Sequence, residues 1–140
     1  GVDGRIRISR WLGHFEMPCL LRQIHVLVPP KRTVERYKEQ FGYVLIEAMS
    51  AGVVSVGYSL WEIPHVAGED GFNFPENEST ALAGIPQDLL DRSSLPGRLA
   101  VSGRIRAVSE FGWNMTSEKT HAIYERVLSG EGAGYGAEDE

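Results

Sequence analysis

Three things are scarce in this chain of 140 residues, and each scarcity closes a class of explanation. Cys19 is the single cysteine, so no disulfide can form within the chain, and a reducing compartment suits it. No apolar run approaches the roughly 18 residues that a bilayer-spanning helix needs, which points to a cytoplasmic location, with the membrane surface as the second option. Positive charge is not in excess. Lys and Arg number 14 against 19 Asp and Glu, and Glu131, Glu138, Asp139 and Glu140 sit together at the acidic end. The rest of the chain is close to neutral, which argues against a nucleic-acid binder that works by neutralising phosphates. An initiator Met is also absent: Gly1-Val-Asp-Gly4 leads straight into a strand pattern, as in a piece of a larger protein or a processed segment. The sequons Asn77-Glu-Ser79 and Asn114-Met-Thr116 lack a signal peptide and read as chance.

Apolar residues are plentiful at 42%, enough for the core of one domain. Arg5 to Leu12 alternates polar and apolar residues and predicts a strand with one buried face. Met17 to Arg22 suits a short helix begun beside Pro18. Ile24 to Val28, Val53 to Gly57 and Gly71 to Phe74 are short runs bounded by Pro or Gly, which predicts three more strands. Ile63 to Val66 suits one helical turn. The period then becomes helical. A helix capped by Ser79 or Thr80 runs toward Asp91, bent or split at Pro86, with Leu82, Ile85, Leu89 and Leu90 on one side. A second spans about Leu95 to Val108. A third starts near Asn114, with Ile123, Tyr124, Val127 and Leu128 as its apolar stripe and Trp113 and Tyr124 as core residues. Residues 129–140 carry glycines and acids and predict a disordered tail. Within it Gly132 to Ala137 matches a dinucleotide fingerprint, but with no strand before it and no helix after it. Strands alternating with helices over short links give an α/β fold, a Rossmann-like parallel sheet with flanking helices.

The stretch from Glu39 to Gly52 stands apart. Phe41 to Met49 is apolar at nearly every position and predicts a helix buried all round, closed by Gly52 in a left-handed conformation. Glu47 lies inside this helix and Glu39 just before it, eight positions apart. A carboxylate in such a place needs a partner. The spacing leaves two readings open. Glu39 is a solvated acid at a helix start and Glu47 pairs with an arginine, or both meet a ligand. In the second, the helix amino end would face an anion above Gly42, where no side chain blocks the backbone. The loop residues Lys31, Arg32, Arg36 and Lys38 form a solvated basic face or supply a phosphate contact. His65 and His14 are weaker pocket candidates, each more simply a surface residue.

Glu39-Gln-Phe-Gly-Tyr-Val-Leu-Ile-Glu-Ala-Met-Ser-Ala-Gly52, followed by Ser55-Val-Gly57, Glu62-Ile-Pro-His-Val66 and Gly68-Glu-Asp-Gly-Phe72, resembles the donor-binding domain of family 4 glycosyltransferases, the C-terminal half of the two-domain GT-B fold. The resemblance runs from about Arg5 to Leu128, through Gly103-Arg-Ile-Arg and Phe111-Gly-Trp113. It implies residues 1–128 as a partial nucleotide-sugar-binding domain. The implied activity is transfer of a sugar from a nucleotide-sugar donor with retention of configuration, without a metal or other cofactor. Glu39 would touch the donor sugar as the catalytic residue. The backbone of Phe41 and Gly42, with Tyr43, would face the diphosphate, and Glu47 would bind the ribose hydroxyls. No Asp-x-Asp motif is present, in keeping with a metal-independent site.

The departures have consequences too. Leu60-Trp61 stands where relatives carry small residues, so an indole either reshapes or blocks the donor pocket. Pro29-Pro30-Lys31 replaces a usual Pro-Ser, removing a hydroxyl, and Val53 replaces a frequent proline. The acceptor domain is missing, and so is the first strand-helix unit with the family's diphosphate-binding Arg and Lys, which predicts little turnover by this chain alone. The acceptor, a glycan, lipid or small molecule, would enter through that missing N-terminal domain. Exposed apolar surface would favour homo-oligomers. The reading from a different class is a non-catalytic nucleotide-binding or interaction module, one subunit of a split glycosyltransferase.

Overall fold

The computed structural model describes residues 4–30 and 41–130. Its centre is a three-stranded parallel sheet in the order β1-β2-β3, with β1 at Val26–Leu27, β2 at Val54–Tyr58 and β3 at Phe72–Phe74. Val26 aligns with Val54, and Val56 with Phe72. Every residue of β2 is buried. A central parallel strand is covered on both faces, which is why Val54, Val56 and Tyr58 on one face and Ser55 and Gly57 on the other are all buried. β1 is shorter than the sequence pattern suggested, confined to two half-buried residues.

Helices link the strands. α1 (Met17–Leu21) starts with Pro18 in its first turn, where a missing N–H costs nothing. α2 (Tyr43–Ser50) leads into β2, and α3 (Ile63–Ala67) into β3. Gly52 has φ +76 and ends α2 as expected. Its N–H bonds the Met49 carbonyl at 2.9 Å and the Val53 N–H bonds that of Ala48 at 2.9 Å, the paired closure of a Schellman motif. The core gathers Leu45, Val54, Val56, Tyr58, Ile63, Val66, Phe74, Ile85 and Leu89, with Leu99 and Phe111 packed against it.

Four sequence expectations fail, each for a physical reason. Arg5 to Leu12 forms no strand; Ile8 is 93% exposed. An alternating segment becomes a strand only beside a partner, and among the described residues none lies along it. α4 (Ser79–Asp91) runs unbroken through Pro86, is preceded by Glu78 with no side-chain cap, and buries Ile85 and Leu89 while Leu90 points to solvent. α6 (Trp113–Leu128) buries nothing: Ile123, Tyr124, Val127 and Leu128 are exposed, and Trp113 is 88% exposed. Its stripe has the right period, but among the described residues nothing covers it. α5 (Leu95–Phe111) packs along α2 through Gly103 and Ala107 yet leaves Val101, Ile105 and Val108 open. The fourth failure is α2 itself, which is not buried all round. Leu45, Ala48 and Met49 are buried while Tyr43, Glu47 and Ser50 form an open face. Positions i, i+4 and i+7 fall on one side of a helix, so this wet strip was already encoded at a 3.6-residue period.

Candidate functional site

The amino end of α2 is built around Gly42. This residue has φ +77 and ψ +49, a left-handed conformation that glycine adopts without a side-chain clash. Its carbonyl accepts the Leu45 N–H at 2.8 Å and so closes the first helical turn. The N–H groups of Tyr43 and Val44 lack acceptors within the helix, and the dipole adds partial positive charge there. A Cβ on Gly42 would come within 2.5 Å of Ile63 Cδ1, and one on Gly57 within 2.4 Å of Ile63 Cγ2. Ile63, fully buried at the start of α3, is therefore wedged between two glycines. Only about 10 Å³ of space remains between Pro29, Gly42, Leu45, Gly57 and Ile63. The helix start is held rigidly at the carboxyl end of the sheet, where open α/β folds bind ligands.

Aromatic rings surround this end. Phe41 is half-buried, with its ring centroid 5.1 Å from Tyr43 and 5.9 Å from Phe111. Tyr43 is exposed. His65 is exposed and packs edge-on against Phe111 at 6.3 Å. Arg106 locks the cluster from below: its guanidinium donates to the His65 carbonyl at 2.6 Å and the Val66 carbonyl at 3.4 Å. The same group pairs with Glu110 at 2.7 Å and stands 5.7 Å from the Phe111 ring centre. A cation on the last carbonyls of α3 also complements that helix's dipole. Sequence reasoning missed both Ile63 and Arg106. The second lies in the Gly103-Arg-Ile-Arg segment, whose role no spacing rule reveals.

Glu47 sits one turn beyond Tyr43 on the open face of α2. Its carboxylate has no hydrogen-bond or ion-pair partner among the described residues, so the arginine pairing weighed for it is not formed there. It lines a cleft of about 330 Å³ with His14, Met17, Arg22 and Arg104, within the size range of small-molecule sites. The lip of this cleft is a 3₁₀ turn, His14–Glu16, which Glu16 ties down by accepting the Gly13 N–H at 2.9 Å. Arg10 beside it, then that N–H, hold the Glu16 carboxyl below the usual carboxylate range. Arg104 donates to the Ser50 carbonyl and fixes the far wall. His14 thus lies in the same cleft as Glu47, while His65 lies at the helix mouth.

The structure places Phe41 and Gly42 immediately before α2, and Tyr43 and Glu47 on its open face. Glu39, Lys31, Arg32, Arg36, Lys38 and the glycine-rich 132–137 segment lie outside the described residues. Among the described residues no group of three His, Cys, Asp or Glu side chains could hold a metal ion, and no helix is long and apolar enough to cross a membrane.

Comparison with known proteins bears on the family and the fold. The chain is 29% identical over 130 residues to D-inositol 3-phosphate glycosyltransferase of Streptomyces scabiei, covering 91% of this chain and 28% of that protein. It is 35% identical over 93 residues to phosphatidyl-myo-inositol mannosyltransferase of Mycobacterium leprae, covering 65% of this chain and 25% of the relative. The chain thus spans under a third of the length of these relatives. Sucrose-phosphate synthase from Thermosynechococcus elongatus has the same fold over 92% of this chain and 32% of its own, with a TM-score of 0.76 at 23% identity. The α/β fold is therefore that of a GT-B half. A family model for glycosyl transferases group 1 matches residues 2–92, well over half of the chain, and the chain belongs to that family.

Proposed function

We propose that this chain is the nucleotide-sugar-binding part of a cytoplasmic glycosyltransferase that transfers a sugar with retention of configuration and without a metal. The observation that carries the reading is the helix α2: the first N–H groups of the helix lack acceptors within it, and Glu47 stands on its exposed face with no partner among the described residues. A nucleoside diphosphate supplies what each group lacks. The diphosphate lies over Phe41 and Gly42 beside Tyr43, where the helix dipole favours negative charge. Glu47 accepts hydrogen bonds from the two ribose hydroxyls, and the base enters the cleft toward His14 and Met17. Glu39 contacts the sugar. In the transition state the departing diphosphate gains negative charge, which fixed N–H groups at the helix start stabilise without reorganising. The acceptor is met by a second domain of the kind the longer relatives have room for.

The experiment is a thermal-shift screen of uridine, guanosine and adenosine diphosphates and their sugar conjugates. One base series should raise Tm by a few degrees at saturating ligand. A flat response to all three would sink the donor-site reading. A second reading, an interaction subunit, draws on the open apolar faces of α5 and α6. Co-purification with a separate acceptor-domain protein would favour it.

A further inference from the structure

The cleft beside α2 takes its walls from three parts of the chain: the segment from His14 to Arg22, the open face of α2, and Arg104 of α5. What these walls can offer a ligand depends on which of their polar groups are already engaged. The carbonyl of His14 accepts the Met17 N–H. That of Pro18 accepts the Arg22 N–H at 3.3 Å, and that of Leu21 the Ile24 N–H at 3.3 Å. Across the cleft the Glu47 carbonyl accepts the Ala51 N–H at 3.1 Å and the Ser50 hydroxyl at 2.8 Å. The Ser50 carbonyl accepts the Arg104 guanidinium. The backbone acceptors are thus largely spent.

The side chains that remain are of unequal kinds. The Glu47 carboxylate only accepts, and the proposed ribose takes it. Arg22 closes α1, is exposed, and has no side-chain hydrogen bond or ion pair among the described residues. Arg104 spends one N–H on Ser50 and keeps the rest of its planar fork. A guanidinium donates and never accepts, and it stays charged at any working pH. The His14 imidazole can do either, so it favours neither kind of partner. Met17, Pro18 and Leu21 add apolar surface, which suits a flat ring. Away from Glu47, the cleft offers fixed donors beside an apolar wall.

We infer that Arg22 and Arg104 are specificity-determining residues that select a nucleobase with a ring carbonyl, uracil or guanine, over one with an amino group there, cytosine or adenine. The inference rests on the donor-site reading above and adds to it the class of base. A ring carbonyl is an acceptor and meets guanidinium N–H groups, the pairing by which arginine reads guanine in nucleic acids. An exocyclic amino group turns its own donors toward these donors and leaves both sides unsatisfied.

The test is a calorimetric titration of the 140-residue chain with two matched pairs of nucleoside diphosphates. Uridine and cytidine diphosphates differ at one ring position, carbonyl against amino. Inosine and adenosine diphosphates differ in the same way. In each pair that binds, the carbonyl member should be at least about tenfold tighter. Arg22→Met and Arg104→Met should each weaken the carbonyl member by about fivefold to tenfold, and the amino member by less than about twofold. Arg22→Met reads the pairing without disturbing the wall that Arg104 holds. Equal affinities within each pair, tighter binding of the amino members, or an equal loss for both members in Arg22→Met would overturn the inference and leave the donor site standing. A chain that binds none of the four removes the donor site as well.

Discussion

The two ends of α2 are both closed by a left-handed glycine, and they differ in what surrounds it. At the carboxyl end Gly52 has φ +76 and nothing within 4 Å of where a Cβ would stand. At the amino end Gly42 has nearly the same φ, but a Cβ there would collide with Ile63. One glycine answers a conformational need alone. The other answers that need and a packing constraint at once, at the place where the diphosphate is proposed to lie. The contrast shows how one residue type serves chain reversal at one end and a site at the other.

Breaking this contrast should reveal it in stability first. Gly42→Ala should cost about 2–4 kcal/mol, combining left-handed strain with an overpacked wedge, and should abolish nucleotide binding. Chemical denaturation with a parallel thermal-shift assay reads both. Arg106→Met should cost about 1–3 kcal/mol, because the carbonyls of His65 and Val66 lose a charged donor. The same denaturation series checks it. Gly52→Ala should cost about 1 kcal/mol and leave binding intact, since only φ is offended. If Gly42→Ala and Gly52→Ala were equal in cost, the wedge would have no energetic weight. At the small end, Glu47→Ala should change stability by under about 0.5 kcal/mol, as expected for an exposed helix residue with no partner among the described residues.

Much of this was readable from residue order, and the failures have a common cause. The strands at β2 and β3, the one-turn α3 and the glycine stop of α2 all follow from local signals: β-branched runs, prolines at helix starts, a glycine after a helix. The burial of a face is not local. Trp113, Tyr124 and Leu90 carry apolar character at helical spacing, yet spacing says which side of a helix is apolar and not whether anything covers it. Arg5 to Leu12 failed likewise, for want of a neighbouring strand. At the site, the helix and Gly42 were visible in the sequence. The wedge of Ile63 and the clamp of Arg106 were not, because each depends on backbone angles or on contacts between distant segments.

The central claim is that the open carboxylate of α2 holds a ribose. A calorimetric cycle tests it, pairing a ribonucleoside diphosphate and its 2′,3′-dideoxy analogue with the parent chain and Glu47→Ala. The parent should prefer the ribose form by at least about tenfold, the worth of hydrogen bonds to a charged acceptor, and Glu47→Ala should bind the two forms equally. The same preference in both proteins would contradict the account.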